Sequence, residues 1–219
     1  MKKITLIHTV RSIYDSFPST LEEAMGEKIE MTNVVDEILV SNTNKKGCFN
    51  DWNRERLLAD LRVAEEEDSD LVVVTCSSLT PYVLEAQDKV RKPIVTIDCA
   101  MCRKAAEIGE RIMVLATAPT TVGPTVGRIN GELERMGKKA EVVSFLRTDA
   151  MDALKKGDVE THDIILGEEA SKHPGFDTIV LAQASMASAQ KKVEEATGCT
   201  VLTSPSSCIE EVKAFYGKK

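Results

Sequence analysis

Short apolar runs rich in Val and Ile punctuate the chain at residues 4–7, 71–74, 94–97, 112–115, 179–181 and 201–202, with weaker candidates at 34–40 and 142–146. Each run is continuous instead of alternating apolar with polar positions, the pattern of a strand covered on both faces. Between the runs, apolar residues return every three or four positions. Residues 50–67 open on the helix-capping types Asn50 and Asp51 and carry Leu57, Leu58, Leu61 and Ala64 at helical spacing. Residues 158–172, 188–197 and 206–216 follow the same rule, and 99–102 and 123–127 read as helix openings. Strand and helix therefore alternate, which predicts an α/β chain with a mostly parallel, doubly wound sheet.

The pattern also repeats. DLVVVTCSS at 70–78 aligns with DTIVLAQAS at 177–185, an offset of 107 residues (177 − 70), and the same offset lays PIVT at 93–96 on TVLT at 200–203. ITLIHT at 4–9 lies on IMVLAT at 112–117 with an offset of 108 (112 − 4). Three strands in register predict two pseudo-symmetric α/β domains, each with about four strands. The expected division is 1–97 plus 206–219, the last helix packing back on the first half, and 98–205. No Gly/Ser tract or charge block separates the halves.

Composition narrows the chemistry. The chain has 219 residues, 29% of them charged, and a formal net charge of -7. An acidic surface is not the footprint of a nucleic-acid binder, which clusters Lys and Arg. No run approaches the roughly 20 apolar residues that cross a bilayer. The opening MKKITLIHTV reads as a first strand instead of a signal segment, because His8 interrupts its apolar stretch. A cytoplasmic protein is expected, with its six cysteines as reduced thiols. A homo-oligomer is compatible with this picture. There is no G-x-G-x-x-G and no G-x-x-x-x-G-K-[ST], so no nucleotide cofactor is expected. Cys99 and Cys102 have metal-like spacing without a second ligand pair, and read as buried thiols at a helix start. Cys48 lies in a polar loop, and the 48–52 stretch up to Trp52 is a candidate lid or a helix-start packing contact.

In open parallel sheets, ligands bind beyond the carboxyl ends of the strands. That rule selects residues 8–9, 75–78, 96–98, 117–121, 183–185 and 203–207, most of them hydroxyl types. Hydroxyls and backbone N–H groups at such turns suit a carboxylate, and equally suit plain helix capping. Cys76 is the sharpest of these residues. It ends an apolar strand where a helix should begin, and a helix N-terminus makes a thiol more acidic.

The strand–Thr–Cys–Ser–Ser turn, with its counterpart in the second half, resembles the aspartate/glutamate/hydantoin racemase superfamily. Leu115-Ala116-Thr117 followed by Thr120 and Thr121 is similar to that superfamily's second-half opening. The resemblance implies two pseudo-symmetric domains, each supplying a cysteine to the cleft between them. One thiolate removes the α-proton of a small amino or carboxylic acid and the other thiol reprotonates the opposite face, without metal or cofactor. Cys76 takes the first cysteine's place, with Ser77 and Ser78 as its carboxylate-binding followers. Thr9, Thr117, Thr121 and Ser185 complete the implied substrate set. The second half departs from the pattern: Gln183 stands where the other cysteine belongs, and an amide cannot exchange a proton near neutrality. Three consequences remain open. His8 could serve as second base; one cysteine could suffice, as in the superfamily's decarboxylase branch; or Cys76 could add to an unsaturated acid, as in its maleate isomerases. A cofactor-independent isomerase is the leading expectation, with a one-cysteine lyase and a non-catalytic carboxylate-binding protein as alternatives.

Overall fold

The computed structural model describes residues 1–217 and divides into two compact units. Unit 1 comprises Met1–Ile97 together with the chain from Glu211 on, and unit 2 comprises Asp98–Glu210.

Unit 1 runs β1 (Lys3–His8), α1 (Arg11–Met25), β2 (Glu30–Val35), α2 (Glu37–Lys46), α3 (Asp51–Glu66), β3 (Leu71–Val74), a 3-10 turn (Ser77–Leu79), α4 (Thr80–Ala86) and β4 (Ile94–Thr96). Its sheet is parallel throughout, in the order β2-β1-β3-β4. The order explains the sequence pattern. Leu71–Val74 lies inside the sheet and every residue of it is buried, whereas β2 is an outer strand and only half covered. Run 34–40 is thereby corrected. It holds the end of β2 and the start of α2, with Asp36 between them capping α2 by accepting from the Ile38 N–H at 3.0 Å. The helices α3 and α4 pack Leu57, Leu61 and Val83 on Ile7, Val72 and Val74. Asn50 caps α3 through the Asn53 N–H, as its residue type suggests.

Unit 2 runs α5 (Cys99–Ile108), β5 (Arg111–Ala116), α6 (Pro119–Met136), β6 (Glu141–Leu146), α7 (Thr148–Lys155), α8 (Val159–Ser171), β7 (Thr178–Leu181), a 3-10 stretch (Ala184–Ala189), α9 (Gln190–Thr197), β8 (Thr200–Thr203) and α10 (Ser204–Gly217). The sheet order is β6-β5-β7-β8, again all parallel, so it repeats unit 1 strand for strand. Segment 123–127 does not open a helix but lies inside α6, with Pro124 in the helix interior. Two apolar layers cover the sheet. One contains Met101, Ile112, Val114 and Ile129, the other Met113, Leu115, Leu166 and Leu181. The unit boundary falls within α10. Its last turn is fastened to unit 1 by the Tyr216 hydroxyl, which donates to the Lys3 carbonyl at 3.0 Å.

Candidate functional site

In each unit the carboxyl ends of the two inner strands are drawn together by one further ladder bond. The Thr75 N–H donates to the Ile7 carbonyl at 2.9 Å in unit 1, and the Ala182 N–H donates to the Leu115 carbonyl at 2.9 Å in unit 2. The next residues are Cys76 and Gln183. Each then opens a 3-10 turn: the Leu79 N–H returns to the Cys76 carbonyl at 3.0 Å and the Met186 N–H to the Gln183 carbonyl at 2.9 Å. Cys76 and Gln183 are thus backbone counterparts within their own units, as are Thr9 and Thr117.

In unit 1, Cys76 is half-buried and packs against the apolar layer under α3 and α4. Ser77 is buried beside it and Ser78 half-buried. The helical stretch that follows is a 3-10 turn leading into the short α4, not one long helix. His8 has no exposed surface. Its Nδ1 lies 2.8 Å from Thr75 Oγ1, its Nε2 lies 3.0 Å from Asn33 Oδ1, and its ring meets Tyr14 edge-on at 5.6 Å. Burial pushes the His8 pKa below that of a free imidazole, with the Asn33 contact opposing weakly. Thr9 is 4% exposed, and its Oγ1 is buried without a hydrogen-bond partner.

In unit 2, three donors converge on one atom, Gln183 Oε1. They are the Thr117 N–H at 2.7 Å, the Thr117 hydroxyl at 3.1 Å and the Ala118 N–H at 3.1 Å; the Thr121 hydroxyl lies 3.3 Å from the same oxygen and gives its one proton to the Ala118 carbonyl at 2.8 Å. Backbone N–H groups can only donate, so the oxygen, not the amide nitrogen, must face this cradle. Two features place these groups. The β5–α6 turn leaves N–H groups unpaired at the start of a helix, and Thr121 stands one turn into α6. Thr117, Thr121 and Gln183 are therefore brought together, while Ser185 sits half-buried in the following 3-10 stretch.

Sequence reasoning missed Ala118, whose role is a backbone N–H, and Asn33, which lies on the outer strand β2. It also missed an acidic pair behind the β2–α2 turn. Asp36 is buried and ion-paired to Arg56 Nε, and its backbone N–H donates to the His8 carbonyl at 2.8 Å. Asp60, on the same helix as Arg56, is pushed up to about 7 by burial and by the neighbouring Asp36 carboxylate. Cys99 and Cys102 are buried on α5, where burial pushes the Cys102 thiol up. Cys48 is exposed, and Trp52 is 46% exposed with the Arg56 guanidinium 5.6 Å from its ring centre. Among the described residues, no group of three or more His, Cys, Asp or Glu side chains gathers to hold a metal ion. Among the same residues, no helix is long and apolar enough to cross a membrane.

Comparison with known proteins gives a family and a fold. Residues 44–212 match the family model described as Asp/Glu/Hydantoin racemase. A hydantoin racemase of Rhizobium meliloti is 25% identical over 165 residues, a stretch covering 74% of this chain and 66% of that enzyme. A putative Asp/Glu racemase from Yersinia pestis superposes with a TM-score of 0.73 at 17% identity, covering 100% of both chains. A mutant of arylmalonate decarboxylase superposes with a TM-score of 0.59 at 14% identity, covering 99% of this chain and 94% of that one. The last two likenesses are of fold.

Proposed function

The chain belongs to the Asp/Glu/hydantoin racemase family, and on that premise we propose that it is a cofactor-independent isomerase of a small amino or carboxylic acid, with Cys76 as its acid/base. The observation that carries the proposal is the position of Cys76. Its half-buried thiol follows an inner strand at the edge where parallel sheets bind ligands. The Cys76 thiolate takes the proton from the substrate's α-carbon and the electron pair moves into the adjoining carboxyl group; isomerisation is completed when a water molecule, in place of the missing second thiol, protonates the opposite face and the hydroxide left behind takes the proton from the Cys76 thiol. Thr9, Ser77 and Ser78 hold the carboxylate through hydroxyl and backbone donors. His8, buried and engaged at both nitrogens, positions the Thr75–Cys76 turn. Gln183 orients the substrate, because an amide held at its oxygen has only N–H groups left to offer.

A second reading is favoured by the same glutamine. Where a second thiol is missing, a reaction that needs one proton donor suffices, and decarboxylation of a malonate-type acid is such a reaction. The fold likeness to an arylmalonate decarboxylase supports keeping it in view. Incubation in deuterated water with a panel of amino acids, hydroxy acids and hydantoins tests the first reading: at least one should gain deuterium at the α-carbon. Carbon dioxide release from substituted malonates, with no exchange into the panel, would favour the lyase. Neither signal from any acid would reduce the protein to a carboxylate binder.

A further inference from the structure

Unit 2 opens on a feature for which the proposed reaction has no use. α5 begins with Cys99 at its first helical position and carries Cys102 one turn later, and the Cys102 N–H donates to the Asp98 carbonyl at 2.9 Å, closing that turn. Residues three apart in a helix have Cα atoms roughly 5 Å from each other, inside the span of a disulfide. Cys99 is held by fewer backbone bonds than a residue deeper in the helix, so it can adjust the remaining distance. The two thiols differ in setting. Cys99 keeps 7% of its surface exposed, while Cys102 has none. Burial and the Asp98 carboxylate push the Cys102 thiol up, and the Arg128 guanidinium pulls against them. The facing helix adds an independent observation. α6 shares one apolar layer with α5, its Val122, Val126 and Ile129 packing with Met101, Cys102 and Ala105. On α6, Thr125 is fully buried with its Oγ1 unpartnered among the described residues, and Arg128 Nε is buried and likewise unpartnered. These two donors stand three residues apart, on one side of the helix. Buried donors are ordinarily satisfied. The acceptor that suits this pair is a thiolate, which the resting Cys102 thiol is not.

We propose that Cys99 and Cys102 form a redox-sensitive modification site: a peroxide converts them to a disulfide within α5, with Cys99 as the attacking thiol and Cys102 as the resolving one. The site is independent of the reaction assigned to Cys76. The Cys99 thiolate attacks one peroxide oxygen. The S–O bond forms, the O–O bond breaks, and the departing hydroxide takes up a proton, leaving water and a sulfenic acid. Cys102 then gives up its proton and attacks the Cys99 sulfur. The S–S bond forms, the S–O bond breaks, and the released hydroxide joins that proton as a second water. The two thiols lose two electrons in all, and the peroxide takes them up. Cys102 keeps its proton until then, which leaves Cys99 to react first. Thr125 and Arg128 hold the Cys102 sulfur as it becomes a thiolate.

The site is tested by titrating the full chain with hydrogen peroxide, unfolding it without reductant, alkylating it and mapping the peptides by mass spectrometry. Cys99 and Cys102 should leave the pool of alkylatable thiols together, joined within one peptide that is lighter by two hydrogen atoms, and dithiothreitol should restore both. Cys102→Ser should instead accumulate a sulfenic acid at Cys99, trapped by a cyclic diketone. Arg128→Met should slow disulfide closure by roughly threefold or more, since a scarcer thiolate is only partly offset by greater nucleophilicity. Glu132, the ion-pair partner of Arg128, keeps Arg135 at 2.8 Å in that variant. Persistence of both thiols at a peroxide concentration that oxidises the exposed Cys48 would overturn the proposal, as would pairing of either with another cysteine. A folded Cys102→Ser chain without an adduct at Cys99 would remove Cys99 as the attacking thiol, and closure of Arg128→Met at the wild-type rate would remove Arg128 from the site. The mapping of the wild type needs no substitution, so it decides the matter even where a variant fails to fold.

Discussion

Cys76, Thr117, Thr121 and Gln183 can be picked out of the sequence because each stands just past an apolar run, and strand ends are where such sheets present their chemistry. What the sequence hides is reach. The closure of three donors on Gln183 Oε1 joins residues 65 to 66 positions apart, and depends on how far one side chain extends across a strand end. The Asp36–Asp60 pair is hidden for the same reason. Run 34–40 reads as a strand until Asp36 is seen to cap a helix and face α3. This pair sets a pH dependence whose sign follows from its shift. Asp60 titrates at about 7 in the folded chain, against an ordinary carboxylate value near 3.8, so the folded state binds the extra proton between those limits. The contribution of Asp60 to stability is therefore greatest below the lower value and declines as pH rises through about 7, where a second carboxylate becomes charged beside Asp36 and the Arg56 guanidinium. Asp60→Asn should flatten that decline and raise stability at pH 8 by about 1–2 kcal/mol, a figure discounted for partial solvent exposure. Denaturant unfolding at pH 5 and pH 8, followed through Trp52 fluorescence, would check it. A variant whose loss between the two pH values equals the wild type's would show that Asp60 is not the group responsible.

At the scale of elements, apolar runs mark the inner strands β1, β3, β5 and β7 clearly, because burial on both faces leaves few polar positions within them, such as the buried Thr5 of β1. The outer strands β2 and β6 are half covered, and their weak patterns blur into the neighbouring helices. Helices with interior prolines are also hard to read. Pro18 lies within α1 and Pro124 within α6, and at both places local chemistry suggests a break that tertiary packing overrides. Polar side chains join elements where apolar ones only cover them. Asn53, on the first turn of α3, is fully buried; its Nδ2 donates to the Leu39 carbonyl at 3.0 Å and its Oδ1 accepts from Asn42 Nδ2 at 2.9 Å, tying α2 to α3. Asn53→Ala leaves both partners short of a hydrogen bond in a buried setting and should cost about 1–3 kcal/mol. Chemical denaturation would measure it. A change below about 0.5 kcal/mol, the range of ordinary surface substitutions, would mean that water replaces the amide without loss.

On the scale of the whole chain, the duplicated register of 107 to 108 residues is the most legible property, because a repeated strand order needs repeated apolar runs at fixed separations. The two sheets, β2-β1-β3-β4 and β6-β5-β7-β8, repeat each other in order and direction, and the ladder bonds beyond their inner strands match to within 0.1 Å. Duplication sharpens the chemical contrast. Identical backbone positions carry a thiol in one unit and an amide in the other, so the proposed proton transfer would be asymmetric by composition. The most direct measurement is deuterium uptake from solvent by each enantiomer of the acid that exchanges in the panel, followed separately by proton NMR for the wild type, Cys76→Ala and Gln183→Cys. The wild type should exchange one enantiomer much faster than the other, Cys76→Ala neither, and Gln183→Cys both at more nearly equal rates. Undiminished exchange by Cys76→Ala would contradict the assignment of Cys76 as the acid/base.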